Sequence, residues 1–266
     1  MKIISEELTK KFGKFIALNK INLNINSSRV ALLGANGSGK TTFLYILSGL
    51  SYPSKGKLIL DDVEPYKERK RTIKRISFAF EKPSFSIKLK VSDIVNFSYN
   101  EDIVKILGLK QILDKKLNEL STGQQQLVNI YVALSNWNDI LILDEPFANL
   151  DIRRVGELTS YLLSRRRDFI VTTHVPEEAE MIAEYFIVLD RGIVKWSGSI
   201  SDLINSDIYE VYSFYNILDS TKVIYRYGNI YLIQEDIGKI KKMYDEGIIY
   251  GFRKSGLRKL YIENEF

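Results

Sequence analysis

The residues Gly34-Ala35-Asn36-Gly37-Ser38-Gly39-Lys40-Thr41 fit the spacing G-x-x-x-x-G-K-[ST]. They follow the apolar run Val30-Ala31-Leu32-Leu33, which reads as a buried strand, and open a helical pattern from Gly39 to about Gly49. Glycines let the backbone curl so that its N–H groups converge on phosphate oxygens. A helix N-terminus adds positive potential at the same place. The Lys40 ammonium suits the β- and γ-phosphates, and the Thr41 hydroxyl suits Mg²⁺; Thr42 follows on the same turn. A glycine-rich turn with a chance lysine would lack the strand before it and the helix after it.

A second apolar run, Ile140-Leu141-Ile142-Leu143, ends on Asp144-Glu145. An aspartate at the tip of a parallel strand neighbouring the phosphate loop can hold Mg²⁺. The glutamate beside it is placed to polarise an attacking water. Taken alone, the pair could be two surface carboxylates after a strand. His174 is the chain's one histidine, and it lies just past the strand Phe169–Thr172.

These groups need a sheet to position them. Ile21, Leu23 and Ile25 alternate with asparagines, which marks a half-buried strand. Residues 75–80 alternate again, and residues 91–136 read mainly as helix with short breaks. Helices at about Ile152–Arg166 and Pro176–Ala183 separate the strands Phe169–Thr172 and Tyr185–Leu189. Asp190-Arg191-Gly192 reads as a hairpin turn into Ile193–Trp196. Strands alternating with helices predict an α/β fold. From about Ile200 the texture changes to tyrosine-rich strands with one helix near Glu235–Glu246. The expected organisation is a first domain over 1–200, with a helical subdomain at about 82–136, and an α+β appendix over 201–266.

With 45% apolar residues over 266 positions, the chain can build a core, and wholesale disorder is excluded. The absence of cysteine excludes disulfides and thiolate chemistry, and one histidine excludes a multi-histidine metal site. A net charge of +5 is too weak to demand nucleic acid, and none is expected as a partner. No apolar run reaches the length of a membrane span, and early carboxylates (Glu6, Glu7) argue against a secretory leader.

Leu120-Ser121-Thr122-Gly123-Gln124 resembles the LSGGQ signature of ATP-binding cassette (ABC) ATPases. Asp144-Glu145-Pro146 followed by Ala148-Asn149-Leu150-Asp151 is similar to that family's Walker B motif and D-loop. Thr172-Thr173-His174 resembles its switch-histidine loop. Phe12 stands where the family has an aromatic residue stacked on adenine. The resemblance covers roughly residues 2–200. It implies a P-loop α/β cassette with an N-terminal antiparallel β patch, a helical subdomain and a C-terminal α+β tail.

It also implies a function, ATP hydrolysis with ATP and Mg²⁺ that powers solute movement through separate integral membrane permease subunits. Two cassettes would pair head-to-tail, as a homodimer or with a related cassette, with ATP between one P-loop and the other's Ser121, Thr122, Gly123, Gln124 and Asp151. Glu145, His174 and Lys40 would carry catalysis, and Thr41, Asp144 and Glu81 would face the metal. The protein would sit at the cytoplasmic face of the membrane. The tail resembles that of ATPases serving drug- and polysaccharide-type exporters. A soluble assembly-type cassette ATPase is the alternative; a long coiled-coil insertion and a second P-loop, which other soluble branches need, are both lacking.

Some positions depart from the pattern. Glu81 replaces the usual glutamine at the end of a strand expected beside the P-loop strand. A carboxylate there adds an oxygen donor but loses the NH₂ donor. Thr122 replaces a glycine, and Leu127 stands where many relatives carry arginine.

Overall fold

In the computed structural model, residues 1–204, 207–217 and 222–262 are described. The chain divides into two compact units, Met1–Ser197 and Gly198–Phe266. Residues 205–206, 218–221 and 263–266 of the expected appendix lie outside the described residues.

In the first unit, β1 (Lys2–Phe12) pairs antiparallel with β2 (Phe15–Asn26) and with β4 (Lys55–Leu60). Ile21, Leu23 and Ile25 of β2 are buried and the intervening asparagines exposed, as the alternation predicts. The register slips near Glu7, whose φ is 46° and whose N–H donates to the Asn22 side chain at 2.7 Å.

The second sheet of this unit places β3 (Arg29–Leu33), β5 (Ile76–Ala79), β6 (Ile140–Leu143), β7 (Asp168–Thr173), β8 (Tyr185–Asp190) and β9 (Ile193–Ser199) in the order β5-β6-β7-β3-β8-β9. The pairs β5–β6, β6–β7, β7–β3 and β3–β8 are parallel. Helices α1 (Lys40–Leu47), α2 (Arg69–Arg75), α3 (Val91–Phe97), α4 (Glu101–Ile106), α5 (Thr122–Ser135), α6 (Ile152–Ser164) and α7 (Pro176–Ile182) connect or flank the strands. Every residue of β6 is buried, and β3 is buried from Val30 onward, as for strands covered on both faces.

Two expected adjacencies are corrected by this order. The strand before Glu81 lies at the sheet edge beside β6 and not beside the P-loop strand β3. Nor does β6 neighbour β3, because β7 runs between them. The physical reason is that β3, β6 and β7 are alike buried strands, so their apolar runs do not fix which lies between the other two, and motif order along the chain carries no information about strand order.

In the second unit, β10 (Ile208–Tyr212), β11 (Val223–Tyr227), β12 (Ile230–Gln234) and β13 (Gly251–Lys254) form an antiparallel sheet in the order β11-β12-β10-β13. Short helices α8 (Ile200–Ile204) and α10 (Arg258–Ile262) bracket it, and α9 (Ile237–Asp245) lies between β12 and β13 in the chain. Val211, Tyr231, Ile233, Ile240 and Ile249 make its core. Glu210 is fully buried there, with the Arg253 guanidinium 2.9 Å away.

Candidate active site

The loop from Gly34 to Gly39 turns β3 into α1. Gly39 sits at φ 108°, and a Cβ there would lie 2.7 Å from the Ala17 carbonyl. Glycine is therefore needed for close approach as well as for backbone freedom. The loop is braced from outside: Gly192, in the turn between β8 and β9, donates its N–H to the Ser38 carbonyl at 2.9 Å. Lys40 is buried, and its ammonium donates to the Gly34 carbonyl at 2.6 Å and to that of Ala35 at 3.3 Å. It also stands 3.3 Å from Glu145 Oε1. The cleft of about 180 Å³ over this loop is lined by Ala35 to Thr42, by Phe15 and Ala17 of β2, and by Glu81, Asp144 and Glu145.

Asp144 and Glu145 leave the tip of β6 almost fully buried. Asp144 Oδ2 accepts from the Thr41 hydroxyl at 2.9 Å, and Oδ1 accepts from the Thr172 hydroxyl at 2.6 Å. Burial holds the Asp144 carboxyl above the usual carboxylate range. The two hydroxyls oppose that shift, and the charges of Glu81 and Glu145 add to it. Glu145 adopts a left-handed backbone, with φ 51°. Its N–H donates to the Thr172 hydroxyl at 2.8 Å, and its carbonyl accepts from Gln126 Nε2 at 2.8 Å. His174 Nδ1 lies 3.1 Å from Glu145 Oε2, and the imidazole is 58% exposed. Glu145 thus stands between the Lys40 ammonium and a histidine open to the surface.

The structure brings together Lys40, Thr41, Asp144, Glu145 and His174, with Glu81 on the cleft wall. Glu81 is also ion-paired with Lys82 at 3.0 Å, so it borders both the cleft and the surface. Phe12 is not on the cleft wall; Phe15 takes that place. The two are cross-strand partners at the end of the β1–β2 hairpin, and the Lys10 ammonium stands 5.0 Å over the Phe12 ring. Cross-strand pairing puts both rings on one face of the ribbon, a relation that local sequence does not reveal.

Ser121, Thr122, Gly123, Gln124 and Asp151 do not line this chain's own cleft. Ser121 caps α5: its hydroxyl accepts from Gln124 N at 3.3 Å, and Gln124 Oε1 accepts from Ser121 N at 3.2 Å. Thr122 is exposed at the first helical position. A Cβ at Gly123 would lie 2.9 Å from Asn149 Oδ1, so a larger residue there would have to displace the end of the Asn149 side chain. Asp151 caps α6, accepting from Arg154 N at 3.0 Å. Gln126 joins these parts, because Asn149 donates to its Oε1 while its Nε2 holds Glu145. Motif reading gave Gln126 and Phe15 no role. A polar side chain in the buried stripe of α5 was the available signal for Gln126.

Residues 18–148 match the family described as ABC transporter. The chain is 34% identical over 221 residues to the probable sulfate/thiosulfate import ATP-binding protein CysA of Chlorella vulgaris, covering 76% of this chain and 93% of that protein. It is 34% identical over 232 residues to the glucose import ATP-binding protein GlcV of Saccharolobus solfataricus, covering 78% of this chain and 66% of that one. A solved dimeric ATP-binding cassette in a post-hydrolysis state, bound to ADP and phosphate, aligns with a TM-score of 0.63 at 25% identity, covering 74% of this chain and 98% of that chain.

Proposed function

The chain belongs to the ABC transporter family, and from that premise we propose how its own residues bind and cleave ATP. It is a transport-coupled ATPase of that family, and its relatives favour this over the soluble assembly-type reading. The observation that carries the residue assignment is the convergence of Lys40, Thr41, Asp144 and Glu145 on one cleft above the phosphate loop, with His174 outside its wall and held to Glu145 at 3.1 Å.

Phosphate entering the loop competes with Glu145 for the Lys40 ammonium. A triphosphate carries more charge than one carboxylate, so the ammonium transfers to the β- and γ-phosphates. Glu145 is then released to take a proton from the attacking water. With its proton on Nδ1, His174 donates to Glu145 and keeps that carboxylate aimed. Phe15, with Phe12 beside it, offers an aromatic surface to the base.

The donor set fits a divalent cation shared with phosphate. Asp144 and Thr41 present hard oxygen atoms, one carboxylate and one hydroxyl, and Glu81 adds a second carboxylate to that set on the same wall. Among the described residues no group of three or more His, Asp or Glu could hold a metal by itself. Mg²⁺ typically takes one or two carboxylates and completes its shell with phosphate and water. When bound, Mg²⁺ would neutralise charge on the phosphates.

Pairing with a second cassette is supported by the position of residues 121–124 off this chain's own cleft, and by the dimeric state of the similar cassette. Helix α5 begins there, so its first N–H groups can meet a partner's γ-phosphate. Among the described residues no helix is long and apolar enough to cross a membrane. We assign the chain to the cytoplasmic membrane face, docked on permease subunits. The named relatives are importers, whereas the exporter likeness rests on the tail alone. Residues 1–200 form the nucleotide-binding domain in this reading, with a helical subdomain at about 82–136. Purified chain should release phosphate from ATP with Mg²⁺ and not with chelator; equal rates in both would overturn the reading.

Glu81 supplies a second test. Its charge near the phosphates opposes metal-free ATP by about 1 kcal/mol or less at a solvated distance of ~4 Å. Glu81→Gln should therefore tighten metal-free ATP binding by up to about fivefold, and leave Mg·ATP binding similar or slightly weaker. Calorimetric titration with and without Mg²⁺ reads both. Equal shifts, or none, would remove Glu81 from the metal side.

A further inference from the structure

Strand β7, which separates the phosphate loop from the acidic tip of β6, ends in Thr172-Thr173, and both are fully buried. A buried hydroxyl must find partners, and successive strand residues face opposite sides. The two hydroxyls divide accordingly. Thr173 donates to Glu178 of α7 and accepts from Val175 N at 3.0 Å, which fixes the turn that carries His174. Thr172 donates to Asp144 Oδ1 at 2.6 Å and accepts from Glu145 N at 2.8 Å.

We propose that Thr172 is a positioning residue for the ATPase reaction, its one hydroxyl locking the Asp144 carboxylate and the Glu145 backbone into a single register. The inference rests on the functional reading above. Asp144 has two oxygens to orient. Thr41 takes one from the phosphate-loop side, and Thr172 takes the other from β7. Neither oxygen is then free to swing away from the cleft. Glu145 needs support for a separate reason. Its left-handed φ is one that L side chains avoid, so neighbouring contacts must impose it. Its N–H is held by Thr172 and its carbonyl by Gln126. Only a group that both donates and accepts can serve the carboxylate and the N–H together, and a hydroxyl does so. Valine has the same shape and neither capacity.

The test compares Thr172→Val with Thr172→Ser. Misplacing a catalytic group by about 1 Å costs roughly 100-fold in rate, and loss of a group that orients a metal ligand costs about 10–100-fold in metal affinity or activity. Thr172→Val should lower kcat about 10–100-fold with KM for ATP nearly unchanged. Mn²⁺ bound to the ATP complex, read by electron paramagnetic resonance, should bind about tenfold more weakly. Metal-free ATP affinity should stay within about twofold, because Thr172 is not part of the phosphate loop. Thr172→Ser keeps the hydroxyl and should restore both kcat and Mn²⁺ affinity.

Wild-type kcat and Mn²⁺ affinity in Thr172→Val would overturn the proposal. So would a Thr172→Ser variant as impaired as Thr172→Val, since the methyl and not the hydroxyl would then matter. If Thr172→Val does not fold, Thr172→Cys replaces it with a weak donor; intermediate values support the proposal and wild-type values overturn it. A wild-type protein without Mg²⁺-dependent turnover would defeat the functional reading itself, which the Val/Ser comparison does not.

Discussion

Glu145→Gln is expected to lower ATP turnover by about 10²–10⁴-fold, the range lost with a general base, while ATP remains bound. The carboxylate is nearly buried, 3.3 Å from the Lys40 ammonium and 3.1 Å from His174 Nδ1. Glutamine keeps the size and one acceptor oxygen but cannot take a proton from water. The backbone clamp of Thr172 and Gln126 acts on main-chain atoms and is indifferent to the side chain, so the loop should hold its shape. Single-turnover hydrolysis and equilibrium ATP binding on the same preparation separate the two effects. A variant that binds and hydrolyses at the wild-type rate would remove Glu145 from the chemistry.

Lys40→Met is expected to weaken ATP binding by about 100-fold or more, and also to destabilise the nucleotide-free protein. Breaking a buried ion pair from one side costs about 3–5 kcal/mol, because the remaining charge keeps its desolvation penalty. Glu145 would be that charge: its Oε1 is buried and accepts no hydrogen bond, so the Lys40 ammonium is its close counter-charge. The double variant Lys40→Met/Glu145→Gln should therefore regain most of the lost stability in urea unfolding and none of the ATP affinity. An unchanged unfolding midpoint in Lys40→Met would show that the pair carries no energy.

What could be read from sequence follows from how local each feature is. Gly34–Thr41 is one contiguous stretch whose job needs backbone curvature, a helix start and one cation, so its residues and its geometry coincide. Asp144-Glu145 was legible as a strand-tip pair, because an apolar run that ends abruptly on a polar group marks the tip of a buried strand, whereas His174 was legible through the likeness of Thr172-Thr173-His174 to the family's switch-histidine loop. The order of those strands was not legible. Nothing in the runs 30–33, 140–143 and 169–173 says which lies between the other two. That ignorance hid Thr172, since its role exists only because β7 runs between β3 and β6. Gln126 was hidden for the same reason, as its contact with Glu145 joins helix α5 to a strand tip. The substitution of Phe15 for Phe12 on the cleft wall depends on the hairpin register, which a bulged β1 shifts at several points. Glu81 was legible as a departure, and its pairing with Lys82 shows a group shared between cleft and surface.

ATP as the link between two cassettes is most directly tested by the mass of Glu145→Gln in solution. Light scattering at tens of micromolar chain, a range that detects Kd values of about that size, is run with Mg·ATP, with Mg·ADP and without nucleotide. A phosphate held between one chain's Lys40 and the other's Ser121 to Gln124 predicts a dimer with Mg·ATP and a monomer in the other two conditions. A monomer with Mg·ATP bound, or a dimer of the same mass in all three conditions, would contradict it.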